Sequence, residues 1–239
     1  MRLDKYLAHS LGISRLEAND LIKKKVIKVN GNTIIKKDFV INESVDEIKY
    51  NEQLINYRCF VYYMLNKPKG YVSAVIDKKE KTVLDLISER KDVFPIGRLD
   101  KDTEGLLLLT NDGALAHKLS SPKYNCYKTY YVKSSQKFSE EDLVNFRNGL
   151  KIIEKGQKEY VTAKAFIEKI SPYEYQVQIS EGRFHQVKKM FLALDNEVLY
   201  LKRIAHGSIQ LDKSLALGQY RPLTEQEINA LKANVAKKC

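Results

Sequence analysis

The segment Gly97-Arg98-Leu99-Asp100-Lys101-Asp102-Thr103-Glu104-Gly105 sets three carboxylates on alternate positions and runs straight into the apolar stretch Leu106 to Leu109. Acids at this spacing can ligate a cation, close a turn or attack an electrophile. The opening matches the D-x-D-x-E-G start of a calcium loop, but the twelfth position is Asn111 instead of Glu and the later half is leucine. A metal role is therefore disfavoured. A purely structural loop remains open on local grounds, because Asp and Gly are ordinary turn residues and Arg98 can neutralise Asp100.

The flanking sequence indicates the elements that must hold this loop. Phe60 to Leu65 reads as a strand ended by Lys67-Pro68-Lys69-Gly70. Leu106 to Leu109 reads as a second strand before the Asn111-Asp112-Gly113 turn. Thr129 to Val132 gives a third, and Tyr175, Val177 and Ile179 alternate on one face of a fourth. Ser139 with Asp142 and Thr224 with Glu227 are capping boxes that open helices. A further helix is expected from Gln186 to Leu194, with Arg183 and His185 on the turn entering it. The mixture predicts an α+β fold around a mixed or antiparallel sheet.

Upstream, Leu3, Tyr6, Leu7 and Leu11 recur at helical spacing and Gly12 supplies a left-handed stop. Ser14 and Glu17 box the start of a second helix, in which Leu16, Leu21 and Ile22 are expected to face inward while Arg15, Lys23 and Lys24 stay solvated. Val26, Ile27 and Val29, then Asn30-Gly31, then Thr33 to Ile35 predict a hairpin. Helix, helix and hairpin make a compact module, and the weakly apolar stretch 51–58 separates it from the rest. Two domains are expected, 1–58 and 59–239.

Composition sets the partner class. The chain has 239 residues, 44% of them hydrophobic, which is enough for real cores. Its formal charge is +11, and residues 1–37 alone hold nine Lys or Arg against three acids. Such an excess favours a polyanion, nucleic acid ahead of an anionic membrane, because phosphate neutralisation releases counterions. Cys59, Cys126 and Cys239 form neither a C-x-x-C pair nor a zinc pattern, which fits a reducing compartment. No run approaches the ~18 apolar residues of a membrane span, and the start lacks the apolar stretch of a signal peptide. A cytoplasmic protein is expected.

The N-terminal R-L-D-K-Y-L, S-R-L-E-A and V-N-G segments resemble the RNA-binding domain shared with ribosomal protein S-four. That resemblance implies that Arg2, Lys5, Arg15 and Lys23 contact RNA phosphates. The later G-R-L-D-K-D-T-E-G-L-L-L-L-T-N-D-G is similar to the catalytic motif of the RsuA-type pseudouridine synthases. L-N-K-P-K-G-Y-V at 65–72, S-P-K-Y-N-C-Y-K-T-Y at 121–130 and E-G-R-F-H-Q-V-K-K-M-F at 181–191 follow the same pattern in order. Together the matches cover nearly the whole chain.

The resemblance implies isomerisation of a uridine in ribosomal RNA. The forms of the last two motifs look more like the small-subunit (16S) enzyme than its large-subunit relatives. It implies Asp100 as the essential carboxylate, with Tyr130 and Lys188 completing the catalytic set. Asp102 is not the equivalent, and Tyr131 is expected on the opposite sheet face. Uridine must lose its N1–C1′ bond, turn over and rejoin through C5, which needs no cofactor or metal. The aspartate either acts covalently or removes a sugar proton, with Lys188 keeping it ionised and Tyr130 stacking on the freed base. The target must first be flipped out, at a cost of a few kcal/mol. Arg98 is expected to fill the vacated stack or hold phosphate, and Arg183 and His185 to position backbone, although His185 by itself reads equally well as structural. A monomer acting on ribosomal RNA or a small-subunit assembly intermediate is expected. The different-class alternative is a non-catalytic RNA-binding assembly factor, which would not need Asp100, Tyr130 and Lys188 together.

Overall fold

The computed structural model describes residues 1–42, 45–55, 60–88, 92–153 and 159–236. They form two compact units, Met1–Val61 and Tyr62–Cys239.

In the first unit α1 (Leu3–Leu11) and α2 (Arg15–Lys23) precede β1 (Ile27–Val29), β2 (Asn32–Thr33), β3 (Ile48–Tyr50) and β4 (Gln53–Leu54). Gly12 ends α1 at φ 66° with its N–H on the Ala8 carbonyl, and Ser14 and Glu17 close the capping box of α2. Asn30 and Gly31, at φ 50° and 78°, make the left-handed turn between β1 and β2 that a two-residue hairpin requires. Leu3, Tyr6, Leu7, Ala18, Ile22, Ile27 and Ile48 form the core. Leu16 departs from expectation: it is 72% exposed, and Ala18 is buried in its place. Ala18 and Ile22 are one turn apart on the inner stripe, whereas Leu16, two residues before Ala18, lies about 200° round the helix.

Among the described residues of the second unit, nine strands make one sheet. They are β5 (Tyr62–Lys67), β6 (Phe94–Pro95), β7 (Glu104–Thr110), β8 (Lys128–Ser134), β11 (Phe166–Ser171), β12 (Glu174–Ile179), β13 (Val198–His206), β14 (Ile209–Gln210) and β15 (Tyr220–Pro222). The path is β11-β12-β8-β13-β7-β5-β15, with β14 on β13 and β6 on β7. Every pair is antiparallel except β13 with β7, so the sheet is mixed. β9 (Lys151–Ile153) and β10 (Glu159–Val161) pair separately. The helices are α3 (Gly113–Ser120), α4 (Glu140–Asn148), α5 (Gln186–Leu192) and α6 (Glu225–Ala236). α5 stops two residues short of the expected Leu194.

Tyr62 and Met64 of β5 and Leu106 and Leu108 of β7 share one core with Leu115 and Leu119 of α3 and Leu231 and Val235 of α6. A second core is aromatic, with Phe138, Phe146, Tyr175 and Phe191 in mutual ring contact at 5.0–6.3 Å and anchoring α4 and α5 against β12. Full burial of such side chains contributes roughly 1.5–3 kcal/mol each to the packing of α4 and α5 on the sheet.

Candidate active site

The acid loop is fastened from behind by the segment that ends β5. Lys67 is fully buried. Its ammonium donates to the carbonyls of Thr103 at 2.9 Å, Asp100 at 3.0 Å, Pro68 at 3.2 Å and Lys101 at 3.5 Å. Burial pulls its pKa down to about 8, against the attraction of Asp100, Asp102 and Glu104. Ser73 adds a second fastening, its hydroxyl donating to the Leu99 carbonyl at 2.8 Å and accepting the Leu99 N–H at 3.0 Å. The Gly70 N–H donates to the Lys101 carbonyl at 2.8 Å. L-N-K-P-K-G was visible in the sequence, but the job of its first lysine was not, because it depends on the loop folding back over β5.

Gly105 shows why T-E-G is needed where the loop enters β7. Its φ is +101°, and a Cβ there would lie 2.2 Å from the Arg203 backbone carbonyl oxygen. Only glycine lets β7 and β13 approach this closely.

Asp100 presents a quarter-exposed carboxylate with His185 Nε2 and Lys188 Nζ each 3.5 Å away. Lys188 sits closer to Asp102, donating to its two oxygens at 2.6 and 2.8 Å. Partial burial acts to raise the Asp102 pKa, but the bond and charge of Lys188 outweigh it and leave it lowered. The lysine thus bridges both acids, with the shorter contacts on Asp102.

His185 caps α5 in the left-handed region at φ 53°, with its ring stacked on Phe184 at 3.8 Å. Such a conformation costs a non-glycine residue of order 1 kcal/mol or more and is found mostly where surrounding contacts enforce it. Here it turns the imidazole toward Asp100.

Tyr130 on β8 is 7% exposed and lines the same cavity as Asp100. Tyr131 lies on the other face, edge-on to Tyr200 at 6.1 Å. Tyr200 in turn donates to Glu104 at 2.6 Å, and burial with this bond raises its pKa. Arg98, Arg183 and His185 line the cavity too, Arg98 and Arg183 as exposed side chains at its edge. The Arg183 guanidinium sits 4.2 Å from the Tyr160 ring centroid.

Three further cavity residues escaped the sequence reading: Lys128, Arg203 and His206, all buried. The Lys128 ammonium meets the carbonyls of Cys126, Glu181 and Ser180 at 3.1, 3.4 and 3.5 Å, and burial lowers its pKa. His206 is held well below its ordinary value by burial and by the neighbouring Arg203 and Lys128 charges, so its ring stays neutral. The lysine of K-T-Y was in view as a motif letter. Arg203 and His206 carried no signal, since charged residues on a strand read as solvent-facing.

On the first unit Lys5, Arg15 and Lys23 are exposed, Lys23 only 3.6 Å from Asp20. Arg2 is engaged locally, its guanidinium gripping Asp4 through Nε at 3.1 Å and Nη2 at 2.8 Å. Burial acts to raise the Asp4 pKa, but the Arg2 bond and the Lys5 N–H bring it below its usual value. Among the described residues no cluster of three or more His, Cys, Asp or Glu is arranged to hold a metal, and no helix is long and apolar enough to cross a membrane.

Comparison with known proteins adds to this geometry. Residues 61–193 match the RNA pseudouridylate synthase family and residues 1–44 the S4 domain. An uncharacterized RNA pseudouridine synthase, YtzG of Bacillus subtilis, is 43% identical over 236 residues, covering 97% of this chain and 98% of that one. Ribosomal small subunit pseudouridine synthase A of Escherichia coli K12 is 39% identical over 230 residues, covering 95% and 98%. A crystal structure of a pseudouridylate synthase aligns over 97% of this chain and 99% of its own with 37% identity and a TM-score of 0.68.

Proposed function

The chain belongs to the RNA pseudouridylate synthase family, and from that premise we propose that it converts one uridine of small-subunit (16S) ribosomal RNA to pseudouridine in the cytoplasm. The observation that carries the reading is Asp100, among the described residues the one acid lining a cavity it shares with Tyr130, three arginines, a lysine and two histidines. The full-length similarity to small-subunit enzymes supports that substrate over large-subunit RNA.

In this reading the target nucleotide leaves its stack and enters the cavity base first. Arg98 and Arg183, at the edge, hold backbone phosphate or fill the vacated position. Asp100 then acts at the sugar as the N1–C1′ bond breaks. Lys188 and His185, both 3.5 Å from its carboxylate, hold it in place against the sugar. Tyr130 packs on the freed uracil while it turns to present C5, and the C5 proton leaves after the new bond forms. Lys5, Arg15 and Lys23 of the S4 domain supply sequence-independent phosphate contacts. The fastening of the loop by Lys67 fixes where Asp100 can reach, which is the positioning that catalysis needs.

Chemical probing of pseudouridines in 16S RNA from a deletion strain tests the substrate. One position should lose its signal and regain it on return of the gene, but not of the Asp100→Asn allele. An unchanged 16S pattern with a loss in 23S RNA would move the substrate to the large subunit.

A further inference from the structure

Arg203 stands on β13, paired with Tyr130 of β8 on one side and with Gly105 of β7 on the other. It is 1% exposed, one of the largest fully buried side chains in the protein. Nε donates to the Leu106 carbonyl at 2.7 Å, which fixes the plane of the guanidinium. Nη2 is buried without any acceptor. A buried guanidinium with donors to spare is costly, and native proteins satisfy such groups or reserve them for a ligand.

The ligand is indicated by the residues around it. Arg203 lines the cavity with Asp100 and Tyr130. The other buried cation lining this cavity, Lys128, is already occupied by three backbone carbonyls. Arg98 and Arg183 are exposed, which suits the RNA backbone. What reaches deepest into the cavity is the flipped base, and a pyrimidine offers two carbonyl oxygens as acceptors.

Breaking N1–C1′ leaves its electron pair on the base, delocalised over N1, O2 and O4. The same anion later attacks C1′ through C5, C5 loses its proton and N1 gains one, so no oxidant or reductant enters. A fixed donor at a carbonyl oxygen binds this anion more strongly than neutral uracil and so lowers the barrier to cleavage. We propose that Arg203 is a further catalytic residue, its guanidinium hydrogen-bonding a carbonyl oxygen of the flipped uracil and stabilising the charge the base acquires as the N1–C1′ bond breaks. This rests on the pseudouridine synthase reading above. It also gives Gly105 a second consequence, since the close approach of β7 that only glycine permits carries the Leu106 carbonyl to Arg203 Nε.

The test is the single-turnover rate of N1–C1′ bond cleavage in an RNA carrying uridine or 5-fluorouridine at the target position, by wild-type protein, Arg203→Lys and Arg203→Met; 5-fluorouridine has no C5 proton to lose, so cleavage and not completed isomerisation is what is compared. 5-Fluorouracil is the less basic leaving group and depends less on external charge stabilisation. Arg203→Met should cleave the uridine RNA roughly 10²–10³-fold more slowly than wild type, the loss expected for one donor to a developing anion. Its loss on the 5-fluorouridine RNA should be roughly tenfold smaller, with Arg203→Lys intermediate on both. Equal losses on the two RNAs, or none, overturn the proposal, because a packing role does not sense leaving-group basicity. If both variants unfold, the structure of the Asp100→Asn protein with its RNA decides. Arg203 within hydrogen-bond distance of O2 or O4 supports the role, and carbonyls met only by other groups overturn it. Wild-type protein that forms no pseudouridine in any ribosomal RNA would count against the family reaction itself, a result distinct from all of these.

Discussion

Replacing Lys67 by Met removes the ammonium that holds the acid loop while keeping most of its apolar stem. Its two shortest bonds, to Thr103 and Asp100, are charge-assisted. At roughly 1.5–3 kcal/mol each they amount to about 3–6 kcal/mol. Against this stands the net penalty on the charge, burial partly offset by the nearby acids, about 3 kcal/mol for a pKa drawn from 10.5 to about 8. The variant should therefore lose only about 0–3 kcal/mol of unfolding free energy. Its activity should fall much further, roughly 10²-fold, because a displacement of Asp100 by about 1 Å suffices for that.

A pH signature accompanies the change. The folded-state pKa of Lys67 lies below its unfolded value, so unfolding takes up a proton between pH 8 and 10.5, and wild-type stability should rise with pH across that window. The Met variant should lack this rise. Urea unfolding at several pH values and single-turnover rates on one RNA measure both effects. Wild-type rates in a folded Lys67→Met protein would refute the fastening argument, and an identical pH dependence of stability would refute the buried charge.

Lys188→Met should slow turnover at least tenfold by removing the cation shared between the two acids, with Lys188→Arg retaining more. Asp102→Asn should be milder, since it frees Lys188 for Asp100. Single-turnover rates of the three variants check both expectations. Neutralising Lys5, Arg15 and Lys23 together as Gln should flatten the slope of log affinity against log salt by about 2 to 3. Arg2 is omitted because Asp4 already holds it, and filter binding across a salt series reads the change. Activity should survive exhaustive EDTA treatment when the RNA is kept folded by a polyamine, and a rate restored specifically by a transition metal would contradict the metal-free chemistry.

Local signals were the most legible part of this fold. The Ser14, Ser139 and Thr224 boxes, the Gly12 stop and the Asn30-Gly31 turn each rest on contacts within four residues. Alternation placed Tyr175, Val177 and Ile179 on a buried face and set Tyr130 apart from Tyr131. Leu16 misled because its size outweighed its phase, while small Ala18 held the inward position. At the candidate site, the motif letters pointed to Asp100, Tyr130 and Lys188 as neighbours of one loop. The shorter pairing of Lys188 with Asp102 was not legible, since it depends on how α5 meets the loop across 86 residues of sequence. Nor were Lys67 and Arg203. A buried lysine and a buried arginine look like surface charges until the backbone carbonyls that receive them, more than 30 and 90 positions away, are folded against them.

If Asp100 carries out uridine isomerisation in ribosomal RNA, tritium release from 16S RNA labelled at uridine C5 depends on its carboxylate. C5 must give up its hydrogen when it becomes the glycosidic carbon, so wild-type protein should release the label. Asp100→Asn should release none while binding the RNA within a few-fold of wild type. Normal release by the Asp100→Asn protein would show that another group performs the reaction.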